Sequence, residues 1–135
     1  MRTIDVFFYG LFMDVELLQS KGVTATQIRN ASVAGFELRI GDRATLVPAS
    51  TGRAFGAVAS LSHEDLARLY SEPSVQAYRP EAVLAQLTDG ETIAALCFNL
   101  IEPPAAHERN PEYAAKLRAL AERLQFPSDY VASIR

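Results

Sequence analysis

Apolar positions in this chain come in short blocks, and most of them alternate with polar ones. The first block, Val6 to Phe8, runs on through Tyr9 with no polar break and reads as a buried strand. Gly10 interrupts it, and Asp14 stands where a helix cap belongs, ahead of a short helix to Ser20 that Gly22 stops. Thr24 to Asn30 is polar and has no clear period. Ser32 to Ile40 then alternates, with Ala34, Phe36, Leu38 and Ile40 on one face, as a half-buried strand does. Gly41-Asp42 reads as a turn, Ala44 to Val47 as a short strand, and Pro48 to Gly52 as a loop. Ala54 to Leu61 is a further strand, in which Gly56 permits close backbone approach.

Helix signals punctuate the second half. Ser62, with Asp65 three positions on, predicts a capped helix from His63 to Tyr70. Ser71 to Ala77 holds Pro73 and reads as a loop. Glu81 to Thr88 and Thr92 to Leu100 flank Asp89-Gly90, the best hairpin signal in the chain. Asn110-Pro111-Glu112 opens a helix, and Ala114, Leu117, Leu120, Ala121 and Leu124 recur at helical spacing behind it. Phe126-Pro127 ends that helix, and Ser128 is placed to cap a last short one. The count is five to six strands and three or four helices, joined mostly by turns. That predicts an α+β fold with a small, mainly antiparallel sheet free to curl into a barrel, flanked by helices.

A length of 135 residues fits a single domain over 1–135, and 49% apolar residues suffice for a core. The net charge of −3, with scattered Lys and Arg, argues against a nucleic-acid partner. The apolar runs are too short and interrupted for a membrane span. No signal peptide is visible, and the single cysteine, Cys97, makes a cytoplasmic location the default. Nothing in the sequence speaks to the oligomeric state.

The turn after Tyr9 brings strand, glycine and helix N-terminus together within a few residues. Its backbone N–H groups can seat a carboxylate, a carbonyl oxygen or a phosphate, or the turn can serve the fold alone. No metal site is expected: His63 and His107 lie far apart, and Cys97 reads as a small core residue in mid-strand. Among the acids, Glu72 lies in a loop beside Tyr70, where it could act as a general base or be an ordinary solvated glutamate. Glu81, at a strand start, is a second candidate.

Taken together, Phe7-Phe8-Tyr9-Gly10-Leu11-Phe12-Met13, Gly35-Phe36-Glu37-Leu38, Ala44-Thr45-Leu46-Val47-Pro48 and Phe55-Gly56-Ala57-Val58 resemble, in order, the opening strands of the gamma-glutamylcyclotransferase family, including its gamma-glutamylamine cyclotransferase branch. Leu61 to Tyr78 resembles the family's helix and acid loop. Asn110-Pro111-Glu112-Tyr113 and Phe126-Pro127-Ser128-Asp129-Tyr130 resemble its C-terminal helix pair.

The resemblance implies a small β-barrel with a cavity at one edge, and a cofactor-free reaction. The α-amine of a gamma-glutamyl group attacks its own γ-carbonyl, giving 5-oxoproline and a free amine or amino acid. It implies Glu72 as the base and Tyr9, Gly10, Leu11, Phe12 and Met13 as one wall of the pocket; Glu81 is the reserve, since a residue at a strand start can also face the barrel mouth. Tyr78 and Tyr113 are expected beside that wall, because each offers a ring and one hydroxyl to a small polar ligand; packing in the core is the other reading. Two features depart from the family: Pro73 follows Glu72 where a glycine is usual, and Leu11-Phe12-Met13 is more apolar than the family's loop. The competing readings are an enzyme for a small gamma-glutamyl compound, a non-catalytic binding module on the same scaffold, and a protein-interaction domain. Fold similarity alone cannot choose among them.

Overall fold

Val6, Phe7 and Phe8 are all buried, so the first strand has both faces covered and sits inside the structure rather than on an edge. The computed structural model, which describes residues 2–135, shows five strands closed into a barrel. They are β1 (Thr3–Phe8), β2 (Thr26–Ile40), β3 (Ala44–Ser62), β4 (Tyr78–Leu87) and β5 (Thr92–Leu100). The order around the barrel is β1-β3-β2-β4-β5. Every pairing is antiparallel except the closure, where β1 meets β5 in parallel at Val6 and Leu96. Closure removes the exposed sheet edges that an open sheet of this size would carry.

β1 lies against the alanine-rich part of β3, with Val6 opposite Ala59 and Phe8 opposite Ala57. A Cβ at Gly56 would overlap the Phe8 carbonyl oxygen and sit 2.8 Å from the Phe7 ring, so the small residues of β3 make room for the large ones of β1. At the far end of β5, Asn99 bridges to β3. Its Oδ1 accepts from the Leu46 N–H at 3.1 Å, and the Thr45 hydroxyl accepts from the Leu100 N–H at 2.9 Å.

Four α-helices flank the barrel: α1 (Val15–Ser20), α2 (His63–Leu69), α3 (Pro111–Arg123) and α4 (Ser128–Ser133). Three carry the caps expected of them. Asp14 accepts from the Glu16 N–H, Ser62 from the Asp65 N–H and Asn110 from the Tyr113 N–H. The apolar stripe of α3 is buried at Ala114, Leu117, Leu120 and Ala121. No helix among the described residues is long and apolar enough to cross a membrane.

The structure corrects several sequence expectations. Pro48 to Gly52 is not a loop between two strands but part of one 19-residue strand, β3. The ladder pauses there, since Phe36 pairs with Pro48 and Ala34 with Arg53, leaving Gly35 opposite four residues. A bulge uses the same residues that a turn would, because both need backbone that leaves the ladder. The ambiguous stretch before Ser32 is the start of β2, which begins at Thr26 and carries its own register shift before Arg29. β4 begins at Tyr78, ahead of Glu81, and α2 ends at Leu69. Ser128 lies inside α4, and Pro127 takes the cap position without a side-chain hydrogen bond.

Candidate active site

β1 ends at Phe8, and the chain leaves the barrel through Tyr9-Gly10 into one turn of 3₁₀ helix, Leu11–Met13. That turn forms one wall of a cavity of about 300 Å³. The loop after α2 forms a second wall through Glu72, Ser74 and Val75, and the β2–β3 turn adds Asp42 and Arg43. Tyr78 and Tyr113 complete it from β4 and α3. Tyr9, Gly10, Leu11, Phe12, Tyr78, Tyr113 and Glu72 therefore all line one cavity. Met13 does not: the 3₁₀ turn, closed by its N–H on the Gly10 carbonyl at 3.1 Å, carries its side chain into the core.

The tyrosines play different parts. The Tyr9 hydroxyl donates to the Phe98 carbonyl of β5 at 2.7 Å, and the Tyr78 hydroxyl donates to the Ala44 carbonyl of β3. Both hydroxyls are thus committed to the barrel, and what these residues offer the cavity is their rings. Tyr70 lies flat on Phe98, centroids 4.0 Å apart, and meets Phe12 edge-on. Phe12 in turn meets Phe8 edge-on, so one side of the cavity is continuous aromatic surface. Burial pushes the phenols of Tyr9, Tyr70, Tyr78 and Tyr113 above the ordinary range. They stay neutral at physiological pH and act as hydrogen-bonding groups, not as bases.

Tyr113 fits the turn closely. The Leu11 N–H donates to its hydroxyl oxygen at 3.4 Å, and a Cβ on Gly10 would come within 2.7 Å of that same oxygen. Gly10 is needed here for space, since its φ of −112° is open to any residue.

Glu72 sits at the head of a second 3₁₀ turn, Pro73–Val75. Pro73 in the place of a glycine has a local consequence: a residue before proline is driven to extended backbone, and Glu72 has φ −66° and ψ 140°. Its carboxylate is half-buried and receives Lys21 Nζ at 3.0 Å on Oε1 and 2.9 Å on Oε2. Lys21 also lines the cavity. Glu81 lies elsewhere. It is exposed, it is not in the cavity wall, and its carboxylate accepts from the Asn99 side-chain amide. Cys97 is fully buried, and burial pushes its thiol up to about 12, so it holds no thiolate for nucleophilic attack. His63 and His107 are exposed, and among the described residues no group of three metal-ligating side chains forms.

Sequence reasoning missed Lys21, Arg43, Tyr70 and Phe98 as lining residues. Tyr70 and Phe98 carry ordinary core patterning, one on the apolar face of the helix expected from His63 to Tyr70 and the other within a strand. Lys21 reads as the polar end of a short helix, and its partner Glu72 lies 51 positions away, beyond the reach of any local pattern.

Comparison with known proteins adds to this geometry. The family model described as gamma-glutamyl cyclotransferase, AIG2-like, matches residues 6–116. No curated protein matches the chain. A solved structure named gamma-glutamyl cyclotransferase superposes with a TM-score of 0.82 at 17% identity, covering 99% of this chain and 89% of that one. An uncharacterized protein from Homo sapiens gives the same TM-score of 0.82 and 17% identity, covering 100% of this chain and 89% of the other. YkqA from Bacillus subtilis superposes with a TM-score of 0.78 at 21% identity over 98% of this chain; the match spans 52% of that longer protein. At such identities the superpositions speak for the fold. The family match runs from β1, through the cavity-lining turn and the Glu72 loop, into α3, and on that ground the chain belongs to the gamma-glutamyl cyclotransferase, AIG2-like family.

Proposed function

We propose that the protein converts a small gamma-glutamyl compound to 5-oxoproline and a free amine or amino acid, with Glu72 as general base. One observation supports this reading: Glu72 and the Tyr9–Gly10–Leu11 turn line the same cavity. The volume of about 300 Å³ is at the small end of ligand pockets and suits a glutamyl-sized group. In the reaction, Glu72 takes a proton from the α-ammonium, and the freed amine attacks the γ-carbonyl carbon. The new carbon–nitrogen bond closes the five-membered ring. Glu72 passes that first proton to solvent, takes the second proton from the ring nitrogen and delivers it to the departing nitrogen as the bond to that nitrogen breaks. The cavity holds amine and carbonyl of one molecule together, which supplies proximity. Rings of Tyr9, Phe12, Tyr70 and Tyr78 give the reacting centre an aromatic wall. The single buried cysteine agrees with a reducing, cytoplasmic setting.

A second reading, a binding module without turnover, draws on the Lys21–Glu72 contact. Both carboxylate oxygens are already engaged, so a ligand amine has to displace Lys21 from at least one of them. The two readings separate in a screen of gamma-glutamyl amides and gamma-glutamyl dipeptides for 5-oxoproline release. Release from any of them supports the enzyme. Saturable binding without release supports the module.

A further inference from the structure

Lys21 and Glu72, both in the wall of the cavity, form an ion pair. Both side chains keep access to the cavity, with relative exposures of 25% and 38%, so each can exchange its partner for a ligand group. Their backbones are held. Lys21 closes α1, where the Val23 N–H bonds the Leu18 carbonyl and the Gly22 N–H bonds the Gln19 carbonyl, each at 3.0 Å. Arg68 of α2 donates to the Gly22 carbonyl at 3.1 Å while pairing with Asp65 at 2.9 Å, and Asp65 also accepts from the Thr24 N–H. The end of α1 is thereby tied to the helix that leads into the Glu72 loop.

An ammonium and a carboxylate in direct contact are the charge complement of an α-amino acid headgroup. In that headgroup an ammonium and a carboxylate hang on one carbon, as near to each other as Lys21 Nζ is to Glu72. We infer that Lys21 and Glu72 act as an exchangeable pair that receives an α-amino acid headgroup, Lys21 taking the α-carboxylate and Glu72 the α-amine. The inference rests on the proposed gamma-glutamyl chemistry and adds a selectivity to it: ligands must carry a free α-carboxylate. It makes Lys21 a binding residue, and it turns the ion pair that engages the base into the device that admits the ligand.

The test uses L-glutamine, the smallest gamma-glutamyl amide, and L-glutaminamide, in which the α-carboxylate is a neutral carboxamide. Binding of each is followed by NMR titration of the full chain. Wild type is expected to bind L-glutamine about tenfold or more tightly than L-glutaminamide, the low end of what a hydrogen bond between charged groups supplies. Lys21→Met should bring that ratio to about one, and Lys21→Arg should restore most of it. The unchanged amide spectrum of each variant away from the cavity checks its fold. A ratio near one in wild type, a ratio that survives in Lys21→Met, or failure of both probes to bind at millimolar concentration would each overturn the inference. Turnover is scored separately. Release of 5-oxoproline with a ratio of one leaves the proposed reaction standing without this role for Lys21, and a Lys21-dependent ratio without release from any gamma-glutamyl compound does the opposite.

Discussion

The Tyr113 hydroxyl, carried on the first turn of α3, occupies the space that a side chain at residue 10 would fill: a Cβ there would come within 2.7 Å of it. Among the described residues, chain neighbours aside, it is also the only heavy atom within 4 Å of that Cβ position. Gly10→Ala is therefore expected to destabilise the protein by about 1–3 kcal/mol through overpacking. Tyr113→Phe removes the offending oxygen, so the double variant should recover most of that loss. Denaturant unfolding of the two single variants and the double variant measures the coupling directly. Simple additivity would show that Gly10 is there for another reason.

How much of this was readable beforehand differs between fold and site. Asp89-Gly90, Asn110-Pro111 and Ser62 announced a hairpin and two helix starts, because caps and tight turns depend on residues close in sequence. Pro48 to Gly52 misled, since a bulge inside β3 asks the same of the backbone as a turn does. Seven of the eight residues assigned to the site line the cavity, and Met13, at the end of a 3₁₀ turn, is buried in the core instead. The Lys21–Glu72 and Tyr70–Phe98 contacts were not legible at all. Each joins segments that only the closed barrel brings together.

Asn99 spans the seam between β5 and β3, where no regular ladder runs. It is 6% exposed, and its carbonyl is the acceptor for the buried Leu46 N–H. Asn99→Ala should leave that donor unpaired, at a cost of about 1–3 kcal/mol. The midpoint of urea unfolding should fall while its slope stays the same. An unchanged midpoint would mean that water or a shifted backbone replaces the contact.

All five tyrosines have phenols raised above the ordinary value of 10.0 by burial, Tyr130 to about 12. In the unfolded chain they lose protons near 10.0, so the unfolded state binds fewer protons than the folded one above that pH. Their contribution to stability is thus complete below about pH 10 and is lost as pH rises through the folded-state values. Phenolate absorbance should stay absent in the folded protein at pH 10 and appear only together with unfolding. A smooth titration of several tyrosines near pH 10 in protein that remains folded would contradict the packing described.

Glu72 and Glu81 were both candidate bases, and the structure separates their surroundings: Glu72 lines the cavity and pairs with Lys21, whereas Glu81 is exposed and its carboxylate is held by Asn99. Glu72→Gln keeps the shape of the side chain and an oxygen for Lys21 to approach, but it cannot accept a proton. On any gamma-glutamyl compound that the wild type turns over, the variant should lose about 10²–10⁴-fold in rate. Its stability should change by no more than about 1 kcal/mol, because the pair is part-exposed and such pairs contribute little. Glu81→Gln should turn over substrate at the wild-type rate. The comparison is made on kcat and on the unfolding midpoint of both variants, so that a damaged fold is not mistaken for a missing base. Wild-type turnover in Glu72→Gln would remove it as the base.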